Sequence, residues 1–539
     1  MIPIRFLLIA GLAILFHAIP SYAQKIEWEK SYGGKHSDYL FDAIPTADYG
    51  FLLAGSSVSK KTGNKMEEGS GGLDYFLWKM DEKGELDWQK SIGGSGADLL
   101  QGIRHTKDGG FILAGTSDSA LGLHKKDSCR GREDFWIIKL NAKGNEEWQR
   151  TIGGTGQELL QSIWPTSDGG YLIGGSSSSN RRAGLEGAKE DVFGKNEDSR
   201  GGQDYWIVKL DSKGHAEWQK TIGGLYADHL RRVQQTLDGG YILGGSSNSP
   251  MSGDKSEKCY GESDYWVVKL DKDGVLEWQK VYGGSGDDQL YSLFQSQDGN
   301  YIMGGNSASG TTGNKNVSNK NGMDFWVVKI DSSGEIIWQE TYDIGKVDFF
   351  TSMVEDRDGS LLLGGYAQSE TVGTRRKDKE GINDYVAIKT NDRGEELWRE
   401  TVGSGGEDML RSIITVRDGG YLLAGSSKGS SRDRYSGIGR NDFWVVKLKD
   451  NKKKKEEKKP IEAFPNPAQQ FTNVVVGYDF EKGTATLFDL AGRQLQQFDI
   501  TDRTVPVDLG GLPVGIYIVE IRTNVQNDAV KIIKAVNRN

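Results

Sequence analysis

Seven acidic residues recur at equivalent places about every 60 residues: Asp38, Asp98, Glu158, Asp228, Asp288, Asp348 and Asp408. If the strands they open stand around one axis, their carboxylates would ring one mouth of a channel. Oxygen ligands in such a ring suit a hard cation such as Ca²⁺, the one cofactor the pattern suggests. A residue present in every repeat ordinarily serves the repeat, here by accepting N–H groups from the Gly-rich loop before it. Repetition favours that structural role. It favours the same role for a second recurring acid, Asp74, Asp134, Asp204, Asp264, Asp324, Asp384 and Asp442, and for the Lys five residues later, as in Lys139 and Lys209.

Function on a repeated scaffold is expected where the repeats differ. In the fourth repeat "DHLRRV" places His229, Arg231 and Arg232 where the other copies carry mostly smaller or neutral residues. In the third, the longest loop, Ser177 to Gln203, carries Arg181 and Arg182 in a mixed-charge stretch. These five residues are the candidate ligand contacts, because guanidinium groups can grip a charged or planar ligand by paired hydrogen bonds. Side chains alternate along a strand, so one of Arg231 and Arg232 is expected to reach the channel and the other to pack between repeats. Solvated loops are the competing reading. No zinc spacing, Walker loop, H-E-x-x-H or G-x-S-x-G motif is present, and no catalytic residue is assigned.

The elements that must position these residues follow from one repeat, Leu99 to Ile152. "LLQGIRHT" ends at Asp108-Gly109-Gly110, a hairpin signal because Gly accepts positive φ. "FILAGTS" follows, then a polar loop, then "DFWIIKL", rich in β-branched and aromatic residues. "NAKG" turns the chain into "NEEWQRTI". Four antiparallel strands per repeat, seven times over, predict an all-β, seven-bladed β-propeller over residues 24–448. A linear β-solenoid is the alternative. The chain enters on "KIEWEKSYGG" and the last repeat stops after its third strand, "DFWVVKL". The N-terminal strand should therefore complete the last blade.

The turn and fourth strand resemble the tryptophan-docking motif of quinoprotein-type propellers, as in "LDSKGHAEW" at 210–218. Its Trp recurs as Trp28, Trp88, Trp148, Trp218, Trp278, Trp338 and Trp398, and the third strand adds Trp136, Trp206, Trp266, Trp326 and Trp444. Full burial would stabilise by roughly 4–6 kcal/mol each as an upper bound, which marks these columns as packing between blades. The resemblance covers that motif alone, and the repeats here are longer.

The chain has 539 residues and a formal net charge of −9, which argues against nucleic-acid binding. At its start, Arg5 precedes the apolar run Phe6 to Phe16, and Ser21-Tyr22-Ala23 is a small-x-small site. This reads as a signal peptide, residues 1–23, cleaved between Ala23 and Gln24. No later segment has the ~18 apolar residues of a transmembrane helix. Cys129 and Cys259 are the two cysteines. A bridge needs Cα atoms within about 7 Å, and equivalent loops two repeats apart would have to lean over the axis. Two free thiols are the other outcome.

Residues 449–460, "KDNKKKKEEKKP", read as a charged linker. Beyond it, alternating strands over 461–539 suggest a small β-sandwich. This segment resembles the C-terminal sorting domain of the type IX (Por) secretion system of Bacteroidota through Pro465-Asn466-Pro467, "LFDLAGR" at 487–493, "LPVGIYIV" at 512–519 and "KIIK" at 531–534. Five residues follow the final Lys, where family members often stop. The resemblance implies engagement of the type IX machinery, passage through the periplasm and across the outer membrane, then release or surface attachment. The expected function is a non-catalytic binding or scaffold module with a glycan or protein ligand. The alternative is an extracellular glycan-degrading hydrolase or lyase on the same scaffold.

Overall fold

The computed structural model describes residues 25–181, 193–320, 322–368, 383–417, 419–429, 438–450, 459–464, 466–468 and 471–534. The signal segment, with Ala23 and Gln24, and Arg182 lie outside them. The described elements are all strands. Seven four-stranded antiparallel sheets run from Lys25 to Lys449. Blade one is built from Asp38–Pro45, Phe51–Ser57, Asp74–Met80 and Leu86–Ile92, paired in that order. The same order repeats in the sheets that open at Asp98, Glu158, Asp228, Asp288 and Asp348.

Each first strand contacts the first strand of the next sheet, and Asp408–Thr415 contacts Asp38–Pro45. The first strands therefore line a central channel, and the fold is a β-propeller. The seventh sheet takes its outer strand from the N-terminus: Lys25–Tyr32 pairs with Asp442–Lys449. Trp28 sits opposite Lys447, as Trp148 sits opposite Lys139 in blade two. Glu27 pairs with Lys447 at 3.2 Å, the counterpart of Glu147 with Lys139 at 2.7 Å. The ring is thus closed by the two ends of the propeller chain in one sheet.

Alternation sends one face of each strand into a boundary between blades, where apolar clusters form. One such cluster joins Ile112, Ile137 and Leu160 to Ile173 and Trp206. The third-strand Trp136, Trp206, Trp266 and Trp326 are wholly buried. The fourth-strand tryptophans are only half-buried, so the full-burial estimate overstates them. Six of them, Trp28 to Trp338, lie over the turn glycine of the next blade. A Cβ on Gly144 (φ 77°) would stand 3.1 Å from the Trp88 ring. Glycine at that turn permits both the positive φ and the indole contact.

In blades one to four the recurring Lys of the third strand ties the hairpin turn to the fourth strand at this same end. Lys139 Nζ pairs with Asp108 of the hairpin turn at 2.7 Å and with Glu147 at 2.7 Å, and Lys209 repeats this with Asp168 and Glu217.

The C-terminal domain has a three-stranded and a four-stranded antiparallel sheet around a shared core that includes Val474, Leu487, Val507 and Ile521. It rests on the propeller face that carries the short turns: Arg503 lies 3.7 Å from Glu82, Lys143 lies 3.7 Å from Asp502, and Arg417 pairs with Glu462.

Candidate functional site

The seven acids that open the first strands are wholly buried and turn into the blade boundaries, away from the channel mouth. Each accepts a backbone N–H from the loop before it, at 2.6–2.8 Å, from Gly34 to Asp38 through Ser404 to Asp408. The structure thus places no ring of open carboxylates at the mouth. Each acid instead faces the third-strand acid of the preceding blade: Asp134 with Glu158, Asp204 with Asp228, Asp264 with Asp288, Asp324 with Asp348, and Asp442 with Asp38 among them.

Burial, and then the like charge opposite, pushes at least one carboxyl of each of these pairs up. Asp134, Asp228 and Asp442 rise to about 6, and Asp264, Asp348 and Asp408 to about 7. At one boundary Asp343 replaces the first glycine of the loop. There Asp324, Asp343 and Asp348 bring one ligand oxygen each within 4.8 Å of one another.

A buried lysine accompanies the pair in blades one to five: Lys65, Lys125, Lys195, Lys255 and Lys315, at 1–4% exposure. Each ammonium sits over a third-strand ring, from 4.6 Å for Lys125 on Trp136 to 5.9 Å for Lys255 on Trp266. Desolvation lowers Lys195 and Lys315 to about 8 despite the nearby carboxylates. Sequence reasoning missed these lysines, although each stands nine residues before the third-strand Asp.

The channel is lined by the exposed face of the first strands. At its mouth stand Tyr39, Leu99, Leu159, Phe349 and Met409, joined by Gln289 and the exposed His229. One level deeper, every first strand has a β-bulge whose extra residue lacks a partner: Phe41, Gln101, Gln161, Arg231, Tyr291, Thr351 and Arg411. A bulge resets the alternation of side chains. Arg231 and Arg232 therefore both face the channel, which corrects the expectation that one would pack between blades.

Arg231 donates to Gln161 Oε1 at 3.2 Å and lies over the Tyr291 ring at 5.0 Å. Burial, then the charges of Arg104 in blade two and of Arg231, lower Arg232 to about 10 against the opposing pull of Asp42 in blade one. Arg104 is itself held by Asp42 at 2.5 Å.

Arg232 replaces a latch. At this position Asp42, Ser162 and Ser352 accept a backbone N–H from the next blade at 3.2–3.4 Å. A guanidinium accepts no hydrogen bond. Tyr366 is a second departure: its counterparts Ser56, Thr116, Ser176, Ser246, Asn306 and Ser426 accept an N–H from the next blade at 2.6–3.1 Å. Tyr366 instead stacks on Phe349, with ring centroids 5.0 Å apart. Sequence reasoning missed Tyr366 and Arg411; a column-by-column comparison of the repeats shows both.

The remaining candidates do not join this group. Arg181 is exposed on the rim and its N–H donates to Asp198 at 3.0 Å. Cys129 and Cys259 are free thiols, each donating to a strand carbonyl of its own blade, Ser117 at 2.9 Å and Ser247 at 3.0 Å. A cavity of about 450 Å³ lies on the opposite face, between the propeller and the C-terminal domain, lined by Asp48, Lys79, His105, Asn473, Phe480 and Arg503. It belongs to the contact between the two domains, and Arg231, Arg232 and Arg411 do not line it.

Residues 462–535 match the secretion system C-terminal sorting domain family. The chain thus ends in a sorting domain of type IX secretion and is exported, to the medium or the cell surface. Over 391 residues the chain is 26% identical to the regulatory protein FlaEY of Caulobacter vibrioides, covering 67% of this chain and 40% of that protein. The chain therefore spans about two fifths of that relative's length. Similar solved structures include a fungal alcohol oxidase of the AA5 family in complex with copper, at 11% identity and a TM-score of 0.44 over 95% of this chain and 100% of that one. Another is the Synechocystis apocarotenoid oxygenase, at 11% identity and a TM-score of 0.37 over 79% and 95%. Likeness at this level carries no activity over to this chain. No helix among the described residues is long and apolar enough to cross a membrane.

Proposed function

We propose that the exported propeller is a non-catalytic binding module, and that its glycan or protein ligand enters the channel mouth at blade four. One observation carries the reading: Arg232 occupies a position where Asp42, Ser162 and Ser352 of blades one, three and six each accept an N–H that ties the blade to the next. Giving up a structural hydrogen bond for a cation is a cost that a purely structural ring has no reason to bear. The hydrolase or lyase reading calls for paired carboxylates facing a substrate. Against it, the repeat acids are committed to loop N–H groups, and Asp42 is held by Arg104.

The test is a glycan array probed with the full chain and with Arg231→Ala and Arg232→Ala, alongside an assay for released reducing ends. Binding lost in either variant with the fold intact supports the module. Full binding in both variants moves the site elsewhere, and released reducing ends turn the reading toward an enzyme.

A further inference from the structure

The channel mouth has two chemistries at two depths. Five of the seven rim positions are apolar or aromatic, Tyr39, Leu99, Leu159, Phe349 and Met409, and His229 and Gln289 complete the rim. Its floor is cationic, from Arg231, Arg232 and Arg411. No carboxylate among the described residues pairs directly with the floor cations, and Asp42, the one that acts on Arg232, is already held by Arg104. Arg231 meets only an amide and a ring. Arg411 lies over the Phe41 ring at 6.0 Å, and neither it nor Arg232 makes a hydrogen bond or ion pair with a described residue. A guanidinium carries five donors, and enclosing it without an acceptor costs free energy. An acceptor from outside would remove that cost.

We propose that the site takes an amphiphilic anion, a carboxylate carried on an apolar or aromatic stem. This rests on the reading of the mouth as a binding site and adds the class of ligand. The carboxylate fits a planar guanidinium fork, and the floor offers two that have no acceptor of their own, Arg232 and Arg411. The stem lies against Phe349 and Tyr366, whose stacked rings wall one side of the mouth. A polyanion is disfavoured, because it needs a broad basic surface. Here the cations are confined behind a largely apolar rim on a chain of net charge −9.

The repeats supply variants that suit the scaffold. Serine stands at the Arg232 position in Ser162, Ser292, Ser352 and Ser412, and glutamine at the Arg411 position in Gln101 and Gln161. Titration calorimetry on the full chain would use octanoate and phenylacetate, with 2-phenylethanol, glucuronate and inorganic sulfate as controls. Octanoate or phenylacetate should bind, and each control should bind at least about tenfold more weakly. Arg232→Ser, Arg411→Gln and Phe349→Ala should each weaken the carboxylate by about tenfold while melting as cooperatively as the parent. No binding of either carboxylate up to about 10 mM, equal binding of glucuronate or sulfate, or undiminished binding in Arg232→Ser would overturn the proposal. A glycan that needs Arg232 but is not displaced by octanoate or phenylacetate would reject this ligand class and leave the binding module standing. If no ligand of any class depends on the arginines, both readings fall.

Discussion

Asp264 and Asp288 face each other across the boundary between blades four and five, wholly buried, and each has one carboxylate oxygen without a hydrogen-bond partner. Burial, followed by the charge of Asp288, raises Asp264 to about 7. Equivalent pairs stand at the other boundaries; at all but the Asp74–Asp98 boundary at least one carboxyl is raised to about 6 or 7, and there burial raises both.

A pH dependence follows. A carboxyl group raised in the folded state contributes stability that is fully present below its unfolded pKa, near 4, and is lost as pH rises through 6–7. Lowering the pH from 7.5 to 5 should therefore raise the melting temperature, on the order of 5 °C. Asp168, held down to about 2 by Lys209 and Thr166 against its own burial, reverses the trend only in stronger acid. A melting temperature that falls steadily from pH 7.5 to 5 would contradict the raised carboxyl groups at the boundaries.

Ring closure should be essential. Deleting residues 25–31 removes the outer strand of blade seven, the Glu27–Lys447 pair and the Trp28 contact with Phe51. It also exposes the edge of Asp442–Lys449 to other chains. Loss of cooperative melting or aggregation in light scattering is expected; an unchanged melting curve would refute closure by this strand.

Lys125 is the internal counter-charge of its boundary, lying over Trp136 near Asp98 and Asp134. Replacing it with Met keeps the volume and leaves the acids without a cation. Removing one partner of a buried charge group costs about 3–5 kcal/mol, measurable as a shifted denaturant midpoint. A loss below about 1 kcal/mol would mean the acids are already neutral.

Arg232→Ser should stabilise the ring while disabling the mouth. The serine hydroxyl could accept an N–H from blade five, as Ser162 does from Val233 at 3.2 Å. A gain of about 0.5–1.5 kcal/mol is expected in denaturant melts. A destabilised variant would show that Arg232 itself supports the ring.

Removing residues 461–539 should leave a folded propeller that fails to reach the medium or the cell surface, as read by fractionation. Its contacts with the propeller include the ion pairs Arg503 with Glu82 and Lys143 with Asp502 and the approach of Phe471 and Asn473 to Gly109. Normal export of the truncated chain would sink the role of the sorting domain.

The chain's order along one dimension settled much of this protein. Hairpin glycines such as Gly109, the Trp28-to-Trp398 column and the split phase of the first and last repeats specify strands, blades and ring closure, because each acts through neighbours a fixed number of residues away. The tail residues from Pro467 to Lys534 marked export for the same reason. What the tertiary structure decided is which way side chains turn. The acids from Asp38 to Asp408 could line a mouth or fill a boundary, and only packing against the next blade placed them in the boundary. The bulge at Arg231 broke the alternation that would have buried one arginine. Arg232 and Arg411, 179 positions apart in the chain, became parts of one floor because the ring brings distant strands around one axis. Spacing along a chain carries local geometry, but convergence across an axis exists only once the ring has closed.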